Sequence, residues 1–432
     1  PEFKTPGNKV LLLTPEHDES RLPKPESLMS IFSIVTELIR SGICVSCYTP
    51  GMGGIGEAVM KMAFGNGLGM DFHDLLDVED IFQYRYGSFL LEVTEDVDPD
   101  RVIGTVSDQQ TITWGDESIS LSELLSVYEN KLESVFPCNI KDADTPCINY
   151  NYNVSTSRKA APAIRTARPR VLIPAFPGSN CETDSARAVA DAGAQPEIIV
   201  INNLSADGIS RSVDRFAQEL KKAQLIFIPG GFSGGDEPDG SGKFITAFFR
   251  NGAIKDGVTE LLERRDGLMC GICNGFQAMI KLGLVPYGKI TGQTENSPTL
   301  TFNTIGRHIS KMATIKVVSN NSPWLRKALL GGVYTNPASH GEGRFVAPDD
   351  VLADLFAKGQ VATQYCDLEG NVTMDDEWNI NGSYMAIEGI LSPDGRCFGK
   401  MAHSERRGDG VAINIFGEQD LKIFESGVEY FK

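Results

Sequence analysis

Cys273 stands at the centre of a Gly-x-Cys-x-Gly sequence, residues 271–275, which carries the clearest chemical signal in the chain. The apolar run Leu268–Ile272 before it predicts a strand, and Asn274–Leu282 after it predicts a helix. A sharp strand-to-helix reversal forces its central residue into a strained, exposed conformation, and flanking glycines remove the Cβ atoms that would clash. Backbone N–H groups at the helix N-terminus favour the thiolate over the thiol. The turn therefore predicts a nucleophilic cysteine.

Two other roles stay open for Cys273 when the turn is considered alone. With Cys270 it forms a Cys-x-x-Cys pair, which can act as a redox pair or as half of a zinc site. A second pair of this spacing, Cys44 and Cys47, lies far from Cys273 near the N-terminus, and the chain has no His-x3–5-His pair to complete a zinc site. We therefore predict no metal site. Cys270 falls within the predicted strand, where a free cysteine behaves as a small hydrophobic residue. The decision depends on the other residues that could assist a nucleophile.

A cysteine nucleophile needs a base that accepts its proton and a group that orients the base. The chain has five histidines. His403 lies two residues before Glu405, and on an extended segment such residues point to the same side. Glu405 could then hold the imidazole while its other ring nitrogen faces Cys273, although a solvated pair of this kind is also common by chance. His340 is the competing base, because glycines give its loop close access to a ligand.

A glycine-rich loop follows the predicted strand Leu225–Ile228. Backbone N–H groups at residues 230–233, together with the N–H of Asn274, would make an oxyanion hole for a tetrahedral intermediate. The alternative is a tight turn that needs glycine only for its positive φ. Both interpretations place this loop next to the Cys273 turn.

Composition excludes several classes of function. The 432 residues include 57 acidic and 40 basic side chains, and the net charge of −17 argues against binding to nucleic acid or an anionic membrane. No apolar run reaches the length of a membrane-spanning helix. Nine cysteines without the spacing of a disulfide framework suit a reducing compartment. We therefore predict a cytoplasmic protein of two or three domains.

The order of predicted elements divides the chain into three parts. Strands and helices interleave over residues 1–140, which predicts an α/β module. Residues 141–168 are polar, basic and proline-containing, as is typical of a linker. Residues 169–432 alternate short apolar strands with helices, which predicts a doubly wound, mostly parallel sheet. Loops 178–181 and 230–236 and the Cys273 turn should then converge at the carboxyl edge of that sheet.

Five sequence motifs occur in a fixed order in the third part of the chain. They are FPGSN at residues 176–180, PGGFSGGD at 229–236, GICNGFQ at 271–277, SHGEGRF at 339–345 and MAHSER at 401–406. Together they resemble the class I (triad) glutamine amidotransferase domain of phosphoribosylformylglycinamidine synthases, fourth-step enzymes of de novo purine biosynthesis. Residues 1–140 are similar to the C-terminal α/β domain of aminoimidazole ribotide synthetase. The resemblance implies a flavodoxin-like fold for the amidotransferase part.

The resemblance also implies a role for each candidate residue. Cys273 would attack the carboxamide of glutamine, form a γ-glutamyl thioester and release ammonia. His403 would act as the acid and base, and Glu405 would orient it. The residues implied around the oxyanion and the glutamine are Gly231, Phe232, Asn274, Gln277 and His340. No cofactor is implied for this half-reaction.

The complete family enzyme carries a second, distant site. There ATP and Mg²⁺ activate the amide oxygen of formylglycinamide ribonucleotide (FGAR), and ammonia displaces phosphate to give the amidine (FGAM). The resemblance implies that FGAR and ATP bind in an upstream region or on a partner chain. We therefore expect this chain to be a C-terminal fragment or one subunit of a split ligase.

Two features differ from the family pattern, and two other functions stay open. Gly234 stands where family members usually carry an aromatic residue, and residues 237–242 form an insert. The alternatives are a stand-alone enzyme similar to γ-glutamyl hydrolase and a non-catalytic regulatory subunit of the same fold. The first module and the MAHSER motif argue against the hydrolase. Retention of Cys273, His403 and Glu405 argues against the regulatory subunit.

Overall fold

The computed structural model describes most of the chain, namely residues 1–73, 76–95, 97–131, 147–153, 162, 164–233 and 241–432. Gly234, residues 237–240 of the predicted insert and most of the predicted linker lie outside the described residues. The chain divides into two compact units, Pro1–Pro137 and Cys138–Lys432. The predicted boundaries at residues 140 and 168 stay predictions. Within the predicted linker, Tyr150 packs edge-on against Phe356 of the second unit, with 4.8 Å between ring centroids.

The first unit is built on a seven-stranded sheet with the order β2-β4-β1-β5-β3-β6-β7. Its strands are β1 (Lys9–Leu13), β2 (Cys44–Tyr48), β3 (Gly69–Phe72), β4 (Phe89–Val93), β5 (Val102–Ser107), β6 (Thr111–Trp114) and β7 (Glu117–Ser120). Its helices are α1 (Pro25–Arg40), α2 (Gly54–Asn66), α3 (Val78–Phe82) and α4 (Leu121–Asn130). All neighbouring strands are antiparallel except β3 and β6.

Apolar side chains cover both faces of this sheet. On one face α1 buries Ile31, Val35 and Leu38, whose spacing places them on one side of the helix, against strand residues such as Leu11. On the other face α2 buries residues that include Ile55, Ala58, Val59 and Met62. The first unit is therefore an α/β module, and its similarity to aminoimidazole ribotide synthetase stays a prediction.

The second unit contains a nine-stranded sheet with the order β14-β13-β16-β17-β18-β11-β10-β8-β9, and a separate pair, β12-β15. The strands are β8 (Arg170–Ala175), β9 (Gln195–Val200), β10 (Leu225–Ile228), β11 (Leu268–Ile272), β12 (Thr299–Thr301), β13 (Ile309–Val317), β14 (Val333–His340), β15 (Arg344–Val346), β16 (Val361–Tyr365), β17 (Ile387–Leu391) and β18 (Cys397–Lys400). The helices are α5 (Glu182–Asp191), α6 (Ala206–Leu220), α7 (Lys243–Phe249), α8 (Gly252–Glu263), α9 (Asn274–Leu282), α10 (Leu284–Tyr287), α11 (Asp349–Ala357) and α12 (Ile423–Glu429).

The large sheet has a parallel half and an antiparallel half. Strands β9, β8, β10, β11 and β18 are parallel neighbours, as the doubly wound fold predicted. From β18 to β14 every neighbouring pair is antiparallel, and sequence analysis did not predict this extension. Because four successive antiparallel pairs separate β14 from β18, strand β14 runs in the same direction as β18 and β11. His340, at the end of β14, therefore lies at the same sheet edge as the residues that follow β11 and β18.

Helix α9 packs closely on the strands beneath it. A Cβ atom on Gly399 of β18 would stand 2.2 Å from the Phe276 ring, so only glycine leaves room for this buried ring. Full burial of such an aromatic side chain contributes about 2–3 kcal/mol relative to leaving it exposed. This contact fixes α9, and with it the Cys273 turn, against β11 and β18. Among the described residues, no helix combines the length and the apolar character that a membrane span requires.

Candidate active site

Cys273 joins the last residue of β11 to the first residue of α9. Its backbone has φ +54° and ψ −109°, a conformation that is strained for any residue with a Cβ atom. A Cβ atom on Gly271 would lie 2.6 Å from the carbonyl carbon of Gly275, and one on Gly275 would lie 2.1 Å from the oxygen of Ile228. The predicted strand, turn and helix are therefore present, and both glycines are required sterically.

Gly275→Ala should distort this turn, because the added methyl group meets a backbone oxygen that cannot move independently of β10. We expect the free energy of unfolding to fall by about 2–3 kcal/mol, as overpacking of a rigid site typically costs. Chemical denaturation of the full chain measures this change. Gly252→Ala is the control, because a Cβ atom there has no neighbour within 4 Å. An equally small effect of both substitutions would contradict the steric argument.

The thiol of Cys273 is buried, with only 3% of the residue exposed. Burial, with smaller contributions from the nearby Cys181 and Glu405, raises the pKa of Cys273 to about 12, against the opposing effect of a hydrogen bond from the backbone of Asn274. The backbone contact at the helix N-terminus favours the thiolate, as expected, but desolvation outweighs it in this state. A base must remove the proton before Cys273 can attack.

His403 and Glu405 form a fully buried pair beyond the end of β18. The Nδ1 atom of His403 lies 2.5 Å from Oε1 of Glu405, and Nε2 of His403 has no hydrogen-bond partner. Burial raises the pKa of the Glu405 carboxyl, but the charge and hydrogen bond of His403 outweigh it and hold that pKa below its usual range. Glu405 is therefore an anion that fixes one imidazole nitrogen and leaves the other free.

Gly230 allows the Cys273 side chain to approach this pair. A Cβ atom on Gly230 would stand 2.5 Å from Cε1 of His403 and 3.4 Å from Cβ of Cys273, so both side chains border the same point. The two segments are also joined by the backbone, since the N–H of Cys273 donates to the oxygen of Lys400 at 2.9 Å. The structure thus brings together the three residues that sequence analysis proposed as a triad.

His340 is held differently. It is fully buried, and its Nδ1 atom lies 3.2 Å from Oδ1 of Asn303, a neutral amide, whereas His403 pairs with a carboxylate. Burial and the charges of His403 and His308 lower the pKa of His340 to about 3, so His340 cannot hold a proton near neutral pH. These contacts favour His403 over His340 as the base.

The described parts of the loops predicted to converge, residues 178–181 and 230–233, lie together at the sheet edge. Gly231 has φ +149° and forms a β-bridge with Ser179, and the N–H of Phe232 donates to the oxygen of Gly178 at 2.8 Å. In this conformation the Phe232 amide is therefore occupied, which does not support its predicted role as an oxyanion donor. The backbone of Asn274 does contact the Cys273 sulfur.

Gln277 links the nucleophile helix to two other loops. Its Nε2 atom donates to the backbone oxygen of Glu342 at 2.6 Å, and its Oε1 atom accepts from Nδ2 of Asn274 at 2.9 Å. Asn274 in turn accepts from the hydroxyl of Ser233 at 2.7 Å. Both ends of the Gln277 amide are used inside the protein, so in this conformation it orders the walls around Cys273.

Cys181 is a member of this cluster that sequence analysis did not single out. It is buried at the start of α5, its sulfur lies 3.8 Å from Nδ1 of His403, and Arg406 donates to that sulfur at 3.0 Å. Burial and the charge of Glu405 raise the pKa of Cys181 to about 11. The available signal was its position directly after the FPGSN motif, in a loop already expected at this edge.

The arrangement can activate a thiol, deliver it to a carbonyl group and return a proton to a leaving group. Residues 168–431 match the family of CobB/CobQ-like glutamine amidotransferase domains. The chain belongs to this family. All candidate residues of the amidotransferase, from Gly231 to Glu405, lie within the matched region, and the whole of the first unit lies outside it.

Named relatives of this amidotransferase include a phosphoribosylformylglycinamidine synthase subunit PurQ from Methanococcus maripaludis, 34% identical over 281 residues. The PurQ subunit of Treponema denticola is 36% identical over 281 residues. Each match covers 61% of this chain, and 97% and 99% of the respective relative. A chain from the structure of PurLQS from Thermotoga maritima is 29% identical, with a TM-score of 0.44, and the match covers 61% of this chain and 100% of that one.

One group of side chains in the amidotransferase offers metal ligands. Among the described residues, Cys181, His403 and Glu405 each present one ligand atom, all within 4.8 Å of one another. These atoms already contact each other and Arg406. The set has one thiol and one carboxylate, whereas Mg²⁺ requires several oxygen ligands. It therefore does not fit the Mg²⁺ that the complete synthase is expected to use.

Proposed function

We propose that this chain is the glutamine-hydrolysing, ammonia-supplying part of a phosphoribosylformylglycinamidine synthase, an ATP-dependent ligase of de novo purine biosynthesis. The observation that carries this proposal is the oriented His403–Glu405 pair beside Cys273 at a strand-to-helix turn. PurQ relatives that are matched over almost their whole length support the choice of synthase.

In the proposed mechanism, Nε2 of His403 accepts the proton of the Cys273 thiol. The thiolate attacks the carboxamide carbon of glutamine, and the N–H of Asn274 stabilises the negative oxygen that forms. The C–N bond then breaks as His403 returns the proton to the leaving nitrogen, which gives ammonia and a γ-glutamyl thioester. Water, deprotonated by His403, hydrolyses the thioester to glutamate and restores the Cys273 thiol.

Glu405 and the loops around Cys273 support these steps without changing covalently. Glu405 keeps Nδ1 of His403 hydrogen-bonded and stabilises the imidazolium that forms when Nε2 takes the proton. We propose that Gly231 borders the oxyanion, and that Gln277 and His340 shape the glutamine site. The pKa of His340 near 3 makes it a neutral hydrogen-bonding group there.

ATP supplies the driving force for the second half-reaction, in which ammonia replaces the amide oxygen of FGAR. We propose that ATP, FGAR and Mg²⁺ bind to a synthetase part upstream or on a partner chain. The similarity of the first unit to aminoimidazole ribotide synthetase belongs to the same proposal.

Labelling with a glutamine-analogue electrophile such as diazo-oxo-norleucine tests the proposed chemistry. We expect one adduct per chain by intact mass, on Cys273 by peptide mapping, and its suppression by excess glutamine. Cys270 and Cys181 serve as internal controls, since both are buried and neither occupies the turn. An adduct that excess glutamine does not suppress, or one on another cysteine, would favour a hydrolase of different specificity. Labelling that fails even with the synthetase part supplied would favour the non-catalytic subunit.

A further inference from the structure

Glu388 and Lys400 form an ion pair that is completely buried beneath the candidate active site. Oε1 of Glu388 lies 3.3 Å from Nζ of Lys400, and both side chains have 0% exposure. Glu388 belongs to β17, and Lys400 is the last residue of β18, where it pairs with Gly389 of β17 and with Ile272 of β11. The pair therefore lies between the nucleophile strand and the antiparallel half of the sheet.

A buried ion pair is weak evidence for stability, because desolvation of both charges offsets their attraction. Apolar side chains of the same size are often equally stable at such a site. The significance of this pair lies in what else its atoms bind. The backbone N–H groups of Met401 and Ala402 donate to Oε1 of Glu388 at 3.0 Å and 2.7 Å. Nζ of Lys400 donates to the oxygen of Ala402.

Met401 and Ala402 lie beyond the end of β18 and lead directly into His403. The strand pairing of β18 ends at Lys400. Beyond it, side-chain contacts from Glu388 and Lys400 hold Met401 and Ala402 in place. The next residue, His403, is fixed by its own N–H, which donates to the oxygen of Pro337 at 2.8 Å. Lys400 also accepts the N–H of Cys273 through its backbone oxygen. One residue therefore connects the nucleophile turn and the segment that carries the base.

We infer that Glu388 and Lys400 are positioning residues that set His403 against Cys273. The inference rests on the proposed function, since it assigns the two residues to the same reaction. Glu388 itself is anchored from the far side by the hydroxyl of Thr363, which donates to its second carboxylate oxygen. The Glu388 carboxylate is therefore held at both oxygens and has little conformational freedom. It fixes the position of Ala402, and Ala402 in turn fixes where the His403 imidazole begins.

Glu388→Gln tests this inference. The variant keeps an acceptor oxygen but loses the charge opposite Lys400, so we expect the segment at Met401 and Ala402 to shift. Two substrates separate positioning from folding: glutamine, whose leaving nitrogen needs a proton from His403, and the p-nitrophenyl γ-ester of glutamate, whose leaving group does not. We expect kcat/KM to fall at least tenfold more for glutamine than for the ester. A merely structural role would lower both by the same factor.

A second variant tests the inference if Glu388→Gln alone fails to fold. Glu388→Gln combined with Lys400→Met removes both charges and leaves none buried alone, so it should fold, yet it should keep the selective loss on glutamine. The control removes an exposed ion pair, Lys358 with Asp354, through Lys358→Met and Asp354→Asn, and should change neither substrate.

The outcomes separate the inference from the function on which it rests. If the wild-type chain hydrolyses both substrates and the Glu388 variants lose both equally, the inference fails and the proposed function stands. If the wild-type chain hydrolyses neither substrate even with the synthetase part supplied, the proposed function fails and the inference with it. A selective loss on glutamine in both variants supports the inference.

Discussion

Cys273→Ala should abolish glutamine-dependent FGAM formation by the reconstituted synthase, by at least about 10³-fold, and leave ammonia-dependent formation within about twofold. The large loss follows because no other group can form the thioester at this turn. The activity with ammonia should survive because the second half-reaction takes ammonia whatever its source. Steady-state FGAM production with glutamine or with ammonium chloride as the nitrogen donor measures both effects.

Cys270→Ala is the matched control for this experiment. Cys270 lies on the same strand, is equally buried, and packs in the core as sequence analysis expected. Its loss removes a thiol three positions from Cys273 without touching the turn, and we expect glutamine use to change less than about threefold. A parallel loss of both activities in Cys273→Ala would mean that Cys273 is structural.

The parts of the fold set by local patterns were predictable from the sequence. The apolar strand, the glycines and the helix around Cys273 follow from side-chain volume and backbone conformation within about 15 residues, and all are present. The convergence of the loops was predictable because parallel strands end at a common edge. The contact between His403 and Glu405 was predicted from their spacing of two, although the segment that carries them forms bends beyond β18 and not the extended strand that the prediction assumed.

Features that depend on distant packing were not predictable. Strand β7 has the sequence ESIS, which carries no apolar alternation and forms an edge strand only because β6 offers it a hydrogen-bonding partner. Cys181 meets His403 across 222 positions of sequence, and no spacing rule relates them. The antiparallel half of the sheet, and with it the position of His340, depends on strand pairing that the order of elements does not determine.

The protonation state of Cys273 illustrates the same limit in energetic terms. The helix N-terminus is a local feature, and it correctly predicts a favourable backbone contact to the sulfur. Desolvation depends on every element that packs over the thiol, and at 3% exposure it dominates. A sequence pattern contains the first effect and not the second. The net direction of the Cys273 pKa therefore follows desolvation, which the sequence pattern does not contain, and not the helix N-terminus, which it does.

His403→Asn gives this difference a measurable consequence. If the helix N-terminus alone maintained a thiolate, the variant would still react with iodoacetamide at neutral pH. With the pKa of Cys273 raised to about 12, the free thiolate fraction at pH 8 is only about 10⁻⁴, so rapid alkylation depends on a base that accepts the thiol proton. We therefore expect alkylation of Cys273 at pH 8 to fall at least 100-fold and to rise about tenfold for each pH unit up to pH 9.5. Glutamine hydrolysis should be lost as well.

His340→Asn distinguishes the two candidate bases in the same assay. With its pKa lowered to about 3, His340 cannot take the thiol proton, so its replacement should weaken glutamine use and preserve alkylation of Cys273. The rate of adduct formation by mass spectrometry, followed from pH 7 to 9.5 for both variants, gives the comparison. Rapid alkylation of His403→Asn at pH 7 would mean that the helix N-terminus maintains the thiolate without a base. Loss of alkylation in His340→Asn, without such a loss in His403→Asn, would mean that His340 is the base.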